Sequence, residues 1–521
     1  MSKRLKMGTE NIKHKVRSQY SEMEIVYRPY FDPEFDTLIE RIHPPRVSID
    51  NVTCRDCTLV KVDSANKHGI LLEMVQVLTD LDLVISKSYI SSDGGWFMDG
   101  WCSSPHPFFC SYTYFFHVTD QLGNKITDES LILYIEQAIC ATRRGSEEVR
   151  TSLGREVRPP HVSKERTALE ITGTDRPGLL SEISAVIAEL ECHVAAAVLW
   201  THNTRLACII YMEDDCKGGT VAGVNQVSHV QAQLENVLEA HHREGERRSV
   251  RVTAPEAGRT HTERRLHQLM ASDRDYEECC SSSSGGGGRR RQDRYRDGIK
   301  VTIDYCKERG YSEVNVRCRD RPKLLFDTVC TLTDMQYVVF HAAISSKGPI
   351  AIQEYFIRHM DGCTLDSESE RRRVTQCLTS AIERRVSHGL RMDICTDNRL
   401  GLLSDITRAF RENGLSITMA EIGTHGEKAV GSFYVTDASG QDVDRDVVEM
   451  VRREIGGTVT VVNESPGRPP QTTTRSIITS KSSNVVEGQS NVVEDRPRFS
   501  LGTLLWSQLE RISGNFRTIK S

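Results

Sequence analysis

Several things are missing from this chain, and each absence excludes something. No window approaches the roughly 20 apolar residues needed to cross a bilayer, and no apolar stretch follows the basic start at Lys3, Arg4 and Lys6. Neither a membrane span nor a secretory signal is expected, which places the protein inside the cell, in the cytoplasm, the nucleus or both. Charge of one sign is also missing. With 67 basic and 72 acidic residues the formal net charge is −5, so nothing points to direct nucleic-acid binding or to an acidic tail. The sixteen cysteines are scattered, without the spacing of a disulfide framework, and read as free thiols in a reducing compartment. Cys54-x-x-Cys57 has metal-ligand spacing but no second Cys or His pair to complete a zinc site, so no metal is assigned. No Walker sequence, G-x-S-x-G or paired metal motif is present. No catalytic residue and no cofactor are therefore assigned.

What the chain does contain is one phrase written four times: an acid or amide, a turn, then paired aliphatics that open a helix. It reads Asn66-Lys67-His68-Gly69-Ile70-Leu71, Asp175-Arg176-Pro177-Gly178-Leu179-Leu180, Asp320-Arg321-Pro322-Lys323-Leu324-Leu325, and Asp397-Asn398-Arg399-Leu400-Gly401-Leu402-Leu403. A chain of 521 residues is too long for one core, and the repeat says that one small unit is used four times.

Around each copy the hydrophobic period switches in the same order. In the second unit Thr167 to Ile171 reads as a strand, and Leu179, Ile183, Val186, Ile187 and Leu190 form one helix face. His193 to Trp200 and Leu206 to Met212 then form a hairpin, and Gln231, Leu234, Val237 and Leu238 form a second helix. This order predicts an α+β fold, with βαββαβ units in which two helices cover one face of a four-stranded antiparallel sheet.

The boundaries read from this pattern begin with an N-terminal lead over 1–57, whose short helix carries Phe35, Leu38, Ile39 and Ile42. Units follow at 58–141, 167–245, 312–388 and 389–465. A Ser/Gly/Arg-rich flexible linker occupies 246–311, and a flexible tail over 466–521 ends in an amphipathic stripe of Leu501, Leu505, Leu509, Ile512 and Phe516. Arg264-Arg265 and Arg289 to Arg291 read first as a solvated linker with incidental charge, and second as a nuclear-localisation or anion-binding patch. In the first unit Gly100 to Phe115, rich in Cys, Ser, Pro and aromatics, interrupt a central hairpin, and a bulge or disorder is expected there.

The repeated turn has chemistry of its own. Pro177 suits the first turn of a helix, Asp175 can cap just upstream, and Gly178 permits close backbone approach. A helix start presents N–H groups to a carboxylate, while Asp175 or Asp397 could receive an ammonium. Together these describe a free amino acid. The competing reading is architecture alone, because any strand-to-helix turn favours Asp, Pro and Gly.

These residues resemble the ACT-domain signature Asp-x-Pro-Gly-Leu-Leu, carried most faithfully by Asp175 to Leu180. The four-fold arrangement, the Phe-Asp-x-Leu-Ile-Glu-Arg lead-in near Phe35 and the closing Leu-Trp-Ser-x-Leu-Glu-Arg near Leu505 are similar to the plant ACT-domain-repeat (ACR) proteins. The resemblance implies ferredoxin-like domains that pair sheet to sheet, within the chain or in a homo-oligomer, and bind free amino acids at the interfaces. Carried over position by position, it implies ligand contacts from Asp175, Gly178, Leu179 and Leu180, and from Asp397, Gly401, Leu402 and Leu403. Asn66 and Gly69 make a weaker first copy, Lys323 in place of glycine makes the third the least suitable, and the fourth has one extra residue between acid and glycine, which alters its turn. Set against the family, Gly100 to Phe115 are an inserted or mis-spliced segment of the first unit, with a real surface loop as the alternative. The functional expectation is a non-catalytic amino-acid or nitrogen-status sensor acting on a separate target protein. A pairing scaffold without ligand is the alternative, and an enzyme the distant third.

Overall fold

The computed structural model describes residues 45–65, 68–91, 111–140, 149–150, 156–157, 166–202, 204–214, 224–240, 246–253, 261–273, 298–306, 310–386, 389–425 and 427–462. The first unit contains β1 (Arg46–Asp50), β2 (Thr58–Ala65), α1 (Ile70–Asp80), β3 (Val84–Ser91), β4 (Ser111–Thr119) and α2 (Glu129–Cys140). A two-stranded piece, β5 (Val149–Arg150) with β6 (Glu156–Val157), follows it. The second unit contains β7 (Thr167–Thr174), α3 (Leu179–Glu189), β8 (Cys192–His202), β9 (Arg205–Asp214), α4 (Val224–Glu239) and β10 (Ser249–Thr253). After α5 (Thr262–Ser272), the third unit runs through β11 (Lys300–Cys306), β12 (Tyr311–Arg319), α6 (Leu324–Asp334), β13 (Tyr337–Lys347), β14 (Ile350–His359) and α7 (Glu368–Arg384). The fourth contains β15 (Leu390–Asp397), α8 (Leu402–Glu412), β16 (Leu415–His425), β17 (Lys428–Asp437), α9 (Arg445–Ile455) and β18 (Thr458–Val462).

The α+β class and the antiparallel sheets are as the periodicity predicts, but the βαββαβ order holds only for the even units. There the last strand, β10 or β18, pairs with the first, β7 or β15. In the odd units that edge position is taken by a strand that precedes the unit: β1 on β2, and β11 on β12. Three ordered segments therefore fall outside the expected boundaries. β1 lies inside the stretch read as a lead, and β10 and β11 lie inside the stretch read as linker. The reason is local: Val47 and Ile49, like Ile299, Val301 and Ile303, alternate with polar residues and pack on the core. Helix α5 also lies within 246–311, and it buries Leu266, Leu269 and Met270. The Arg264-Arg265 pair, read as solvated linker or basic patch, sits on this helix and is held by Asp334 and Glu170. Of the apparent insertion, Ser111 to Phe115 belong to β4, paired residue by residue with β2. Residues 100–110, Asn66, the N-terminal helix and the C-terminal stripe lie outside the described residues.

The units pair edge to edge within the chain, first with third and second with fourth. Ile90 lies opposite Ala342 across β3 and β13, and Trp200 opposite Met419 across β8 and β16. Two eight-stranded sheets result. Each has one apolar core beneath its own helices. Each pairing strand carries a bulge at the same place in its unit, at Ser86, Ala195, Phe340 and Thr418, which strengthens the local twist beside the pairing edge. Among the described residues no helix is long and apolar enough to cross a membrane.

A third apolar cluster joins the two halves. The face of the second sheet turned away from its own helices presents Trp200, Ala207 and Ile209. It is covered by Leu266, Leu269 and Met270 of α5 and by Cys377 and Ala381 of α7. The connecting helix α5 and helix α7 of the third unit thus form the floor under the second sheet.

Charge is buried in this layer. Arg385 Nη2 lies 2.8 Å from Asp327 Oδ1 and 3.0 Å from Glu263 Oε2. Arg321 Nη2 reaches the other Asp327 oxygen at 2.8 Å, and His267 Nε2 lies 3.0 Å from Asp327 Oδ1. The Trp200 ring sits 4.9 Å from the Arg385 guanidinium, so the cation lies over an aromatic face as well as between two carboxylates. Burial pushes the Asp327 carboxyl up, but Arg385 and Arg321 outweigh it and hold it well below the usual carboxylate range.

Removing the shared cation is expected to destabilise strongly. In urea denaturation Arg385→Met should lose about 3–5 kcal/mol, because Asp327 and Glu263 are left buried without it. A depressed native pKa contributes stability above the unfolded value of about 3.9 and loses it as pH falls. The acid limb of the wild-type profile should therefore be shallower in the variant.

Candidate functional site

The turns share one backbone wherever their residues are described. The amides of Asp175, Asp320 and Asn398 donate to the hairpin carbonyls of Thr204, Pro349 and Glu427, at 2.7, 2.8 and 2.8 Å. Three residues later comes the helix N-cap, and in all four copies it is left-handed: Gly69 (φ 87°), Gly178 (82°), Lys323 (61°) and Gly401 (74°). None has a side-chain cap, so the first-turn N–H groups receive no side-chain oxygen. Lys323 takes this conformation without being glycine, at a cost of about 1 kcal/mol. Its Nζ is held 2.6 Å from Glu263 Oε1 on α5.

This register corrects two readings of the turn. Asp175 does not cap the helix, and Pro177 precedes the left-handed residue rather than following the cap. The fourth turn is not stretched by a residue, because the position of Asp175 is filled there by Asn398 and not by Asp397. Asp397 is the last residue of β15, opposite Lys428. Its side chain is 81% exposed and lies 2.5 Å from Lys428 Nζ. It points away from the helix start.

A second repeated device went unread. The basic residue after the acid or amide reaches over the turn to the acid in the first turn of the helix. Arg176 Nη1 lies 2.7 Å from Glu182 Oε1, Arg321 pairs with Asp327, and Arg399 Nη1 lies 2.5 Å from Asp405 Oδ2. The signal was present as an Arg or Lys followed six residues later by Glu or Asp in every copy.

Three of the turns face the end of the first helix of the paired unit, and the residue each meets decides how much space is left. A Cβ placed on Gly178 would lie 2.8 Å from Arg411 Cδ of α8, so that arginine stem fills the second turn. At Gly69 the facing atom is Thr333 Cγ2 at 3.8 Å, and His68 Nε2 closes on the Thr333 carbonyl at 2.9 Å. At Gly401 the facing group is only the methyl of Ala188, at 3.7 Å. The third turn is covered by α5 through Glu263.

The cleft lies at the fourth turn. It encloses about 30 Å³ between α3 and β8 of the second unit and the turn, α8 and β16 of the fourth. Gly401, Leu402, Leu403, Asn398 and Arg399 line it from one side, and Ser184, Ile187, Ala188 and Val194 from the other. Asn398 Nδ2 lies 3.1 Å from His193 Nε2; donation there leaves the amide oxygen unspent. Leu179 and Leu180, at the second turn, are buried core residues. A wider, more polar cleft of about 330 Å³ lies away from the turns, between α5, α7 and the end of α6.

Asp175 is half-buried beside the filled turn. Burial pushes its carboxyl up to about 7, against the Arg176 backbone N–H and guanidinium.

Paired α+β units with uncapped, left-handed turns at their interfaces define a tandem ACT-domain protein, of a regulatory class whose domains generally bind amino acids. A model of the ACR family N-terminal ACT domain matches residues 53–106 and 109–146, and a general ACT-domain model matches 391–456. ACT domain-containing protein ACR1 of Arabidopsis thaliana is 51% identical over 505 residues, covering 95% of this chain and 100% of that protein. ACT domain-containing protein ACR3 of the same plant is 50% identical over 448 residues, covering 86% and 93%. The chain belongs to the ACR family of ACT domain-containing proteins. A bifunctional uridylyltransferase/uridylyl-removing enzyme of Gluconobacter oxydans (strain 621H) is 26% identical over 195 residues, but the match covers 20% of that enzyme.

The raised Asp175 pKa has a testable sign. The folded state holds this proton more tightly than the unfolded chain, so stability falls as pH rises from about 4 to about 7. Asp175→Asn should remove that loss. Its unfolding free energy in urea denaturation should exceed wild type at pH 8 by on the order of 1–2 kcal/mol, after allowance for solvent at a half-buried site, and match it near pH 4.

Proposed function

We propose that this chain is a non-catalytic regulator that binds a free amino acid in the cleft at the fourth turn, a sensor of amino-acid or nitrogen status. The observation that carries the reading is the asymmetry of the paired second and fourth units. They have the same backbone and reciprocal geometry, yet Arg411 fills one turn where Ala188 leaves the other open. At the open turn the Leu402 N–H donates to the Arg399 carbonyl, and the N–H groups of Leu403 and Ser404 behind it can meet an α-carboxylate. The oxygen of Asn398 can accept from an α-ammonium. Binding there touches both units at once, so a ligand would stiffen the second half relative to its empty state and change the surface offered to a target protein.

A second reading is favoured by the other three turns, which are filled by Arg411, closed by His68 or covered by α5. In it the ACT sheets serve as a pairing scaffold and no amino acid binds.

Calorimetry of the full chain against the twenty amino acids separates these. The sensor reading expects saturable binding at about one site per chain, weakened at least tenfold in Ala188→Arg, which copies the Arg411 arrangement onto the open turn. Heat no different from buffer with every amino acid would leave the scaffold.

A further inference from the structure

We infer that the cleft at the fourth turn selects a small, uncharged, aliphatic amino acid of about valine size over polar and charged ones. This deepens the sensor reading and rests on it.

The first argument is charge. Arg399 is the one charged residue lining the cleft. It is already engaged by Asp405 and more than half exposed at the rim. No carboxylate lines the cleft, because Asp397 points outward onto Lys428. A lysine or arginine side chain would enter without a counter-charge. A glutamate would meet no cation beyond the one already neutralised. Desolvating an unpaired charge costs several kcal/mol, far more than the contacts of a small side chain return.

The second argument is the wall. Ile187 and Val194 of the second unit face Ile422 and Val430 of the fourth across the cleft. The polar lining groups are Thr396 at the end of β15, Asn398 at the turn, Thr424 on β16, Ser404 at the start of α8, and Ser184 of α3, whose hydroxyl is taken by Thr407. An amide side chain such as glutamine's would place its donors and acceptors against branched aliphatics and leave them unsatisfied. Removal of a matching apolar group from water is favourable in proportion to the area covered.

The third argument is size. About 30 Å³, at roughly 10–15 Å³ for each water held, is space for two or three waters. That space takes no more than the three side-chain carbons, with the α-carboxylate and α-ammonium at its open mouth, and it excludes an aromatic ring without movement of α8. Two of the walls are small. Ala188 faces Gly401, and a Cβ on Gly431 would lie 2.8 Å from the Phe433 ring.

The α-groups supply the remaining contacts. Orientation of the Asn398 amide by His193 turns an acceptor toward the ammonium. The valine skeleton lacking that ammonium, the corresponding 2-oxo acid, should therefore bind less well.

The test is calorimetry of the full chain with L-valine, L-alanine, L-glutamine, L-glutamate, L-lysine, L-phenylalanine and the 2-oxo acid of valine, on wild type, Ala188→Arg and Ala188→Leu. The second variant serves if melting shows the first misfolded. Valine is expected to bind at least tenfold more tightly than the polar, charged and aromatic amino acids and than the 2-oxo acid, and to lose that binding in the Ala188 variants. A polar or charged amino acid that binds as tightly as valine and is lost in the same variants overturns the selectivity and keeps the site. Binding of valine insensitive to both variants overturns the location. No binding by any amino acid overturns the sensor reading and the selectivity with it.

Discussion

Edge-to-edge pairing of the first unit with the third and of the second with the fourth is the constraint from which the rest of the architecture follows. The pairing strands β3 with β13 and β8 with β16 are hydrogen-bonded along their shared edge, which removes an exposed sheet edge from every unit. Because partners alternate along the chain, each connection between consecutive units must pass from one sheet to the other. The passage from the second unit to the third carries α5, which does not belong to any repeat and fills the space between the halves. The passage from the third to the fourth is short, from α7 at Arg384 to β15 at Leu390, and Arg385 on it is the cation that both buried carboxylates share. The covalent crossing and the ionic one therefore coincide.

Much of this was legible in the residues. The repeat, the order of helices and hairpins, and the apolar face of α3 follow from period alone, because burial on one side imposes a period of 3.6 or 2. The edge strands β1, β10 and β11 were not, since a five- to seven-residue edge strand buried on one face carries only two or three apolar residues. Which of the two orders a unit adopts is decided by long-range pairing. The fourth turn was misread because Asp397 is an acid close to a glycine, and the similarity to Asp175 was chemical where the structure counts positions. Counting three back from each left-handed residue places Asn398 correctly. Ala188 and Arg411 could not be singled out at all. They matter only through a pseudo-two-fold contact between units more than two hundred residues apart in sequence.

The four copies thus show how one backbone is put to different uses by the residue that faces it. The third turn has Lys323 where the others have glycine, and its ion pair with Glu263 anchors α5. The second accepted an arginine stem, and the first a histidine on a helix end. Only the methyl of Ala188 leaves room, so duplication preserved the scaffold and the differences between copies reside in a handful of contacts. The faithful match of Asp175 to Leu180 to the ACT signature marks the turn best adapted to packing, and the less faithful fourth copy holds the cleft.

The alternation of partners also has a consequence for the order of events during synthesis. In the first unit β1 precedes β2, so this unit can close its own four strands as soon as β4 and α2 emerge. Its β3 edge, however, has no partner until β13 is made, some 250 residues later, a delay of tens of seconds at about 5–20 residues per second. The same holds for β8, which waits for β16. For that interval the nascent chain carries an open strand edge, the template on which another growing copy could add its own strand. The protein is most exposed to mispairing before its second half exists, and whatever shields β3 during that time governs the yield of the folded product.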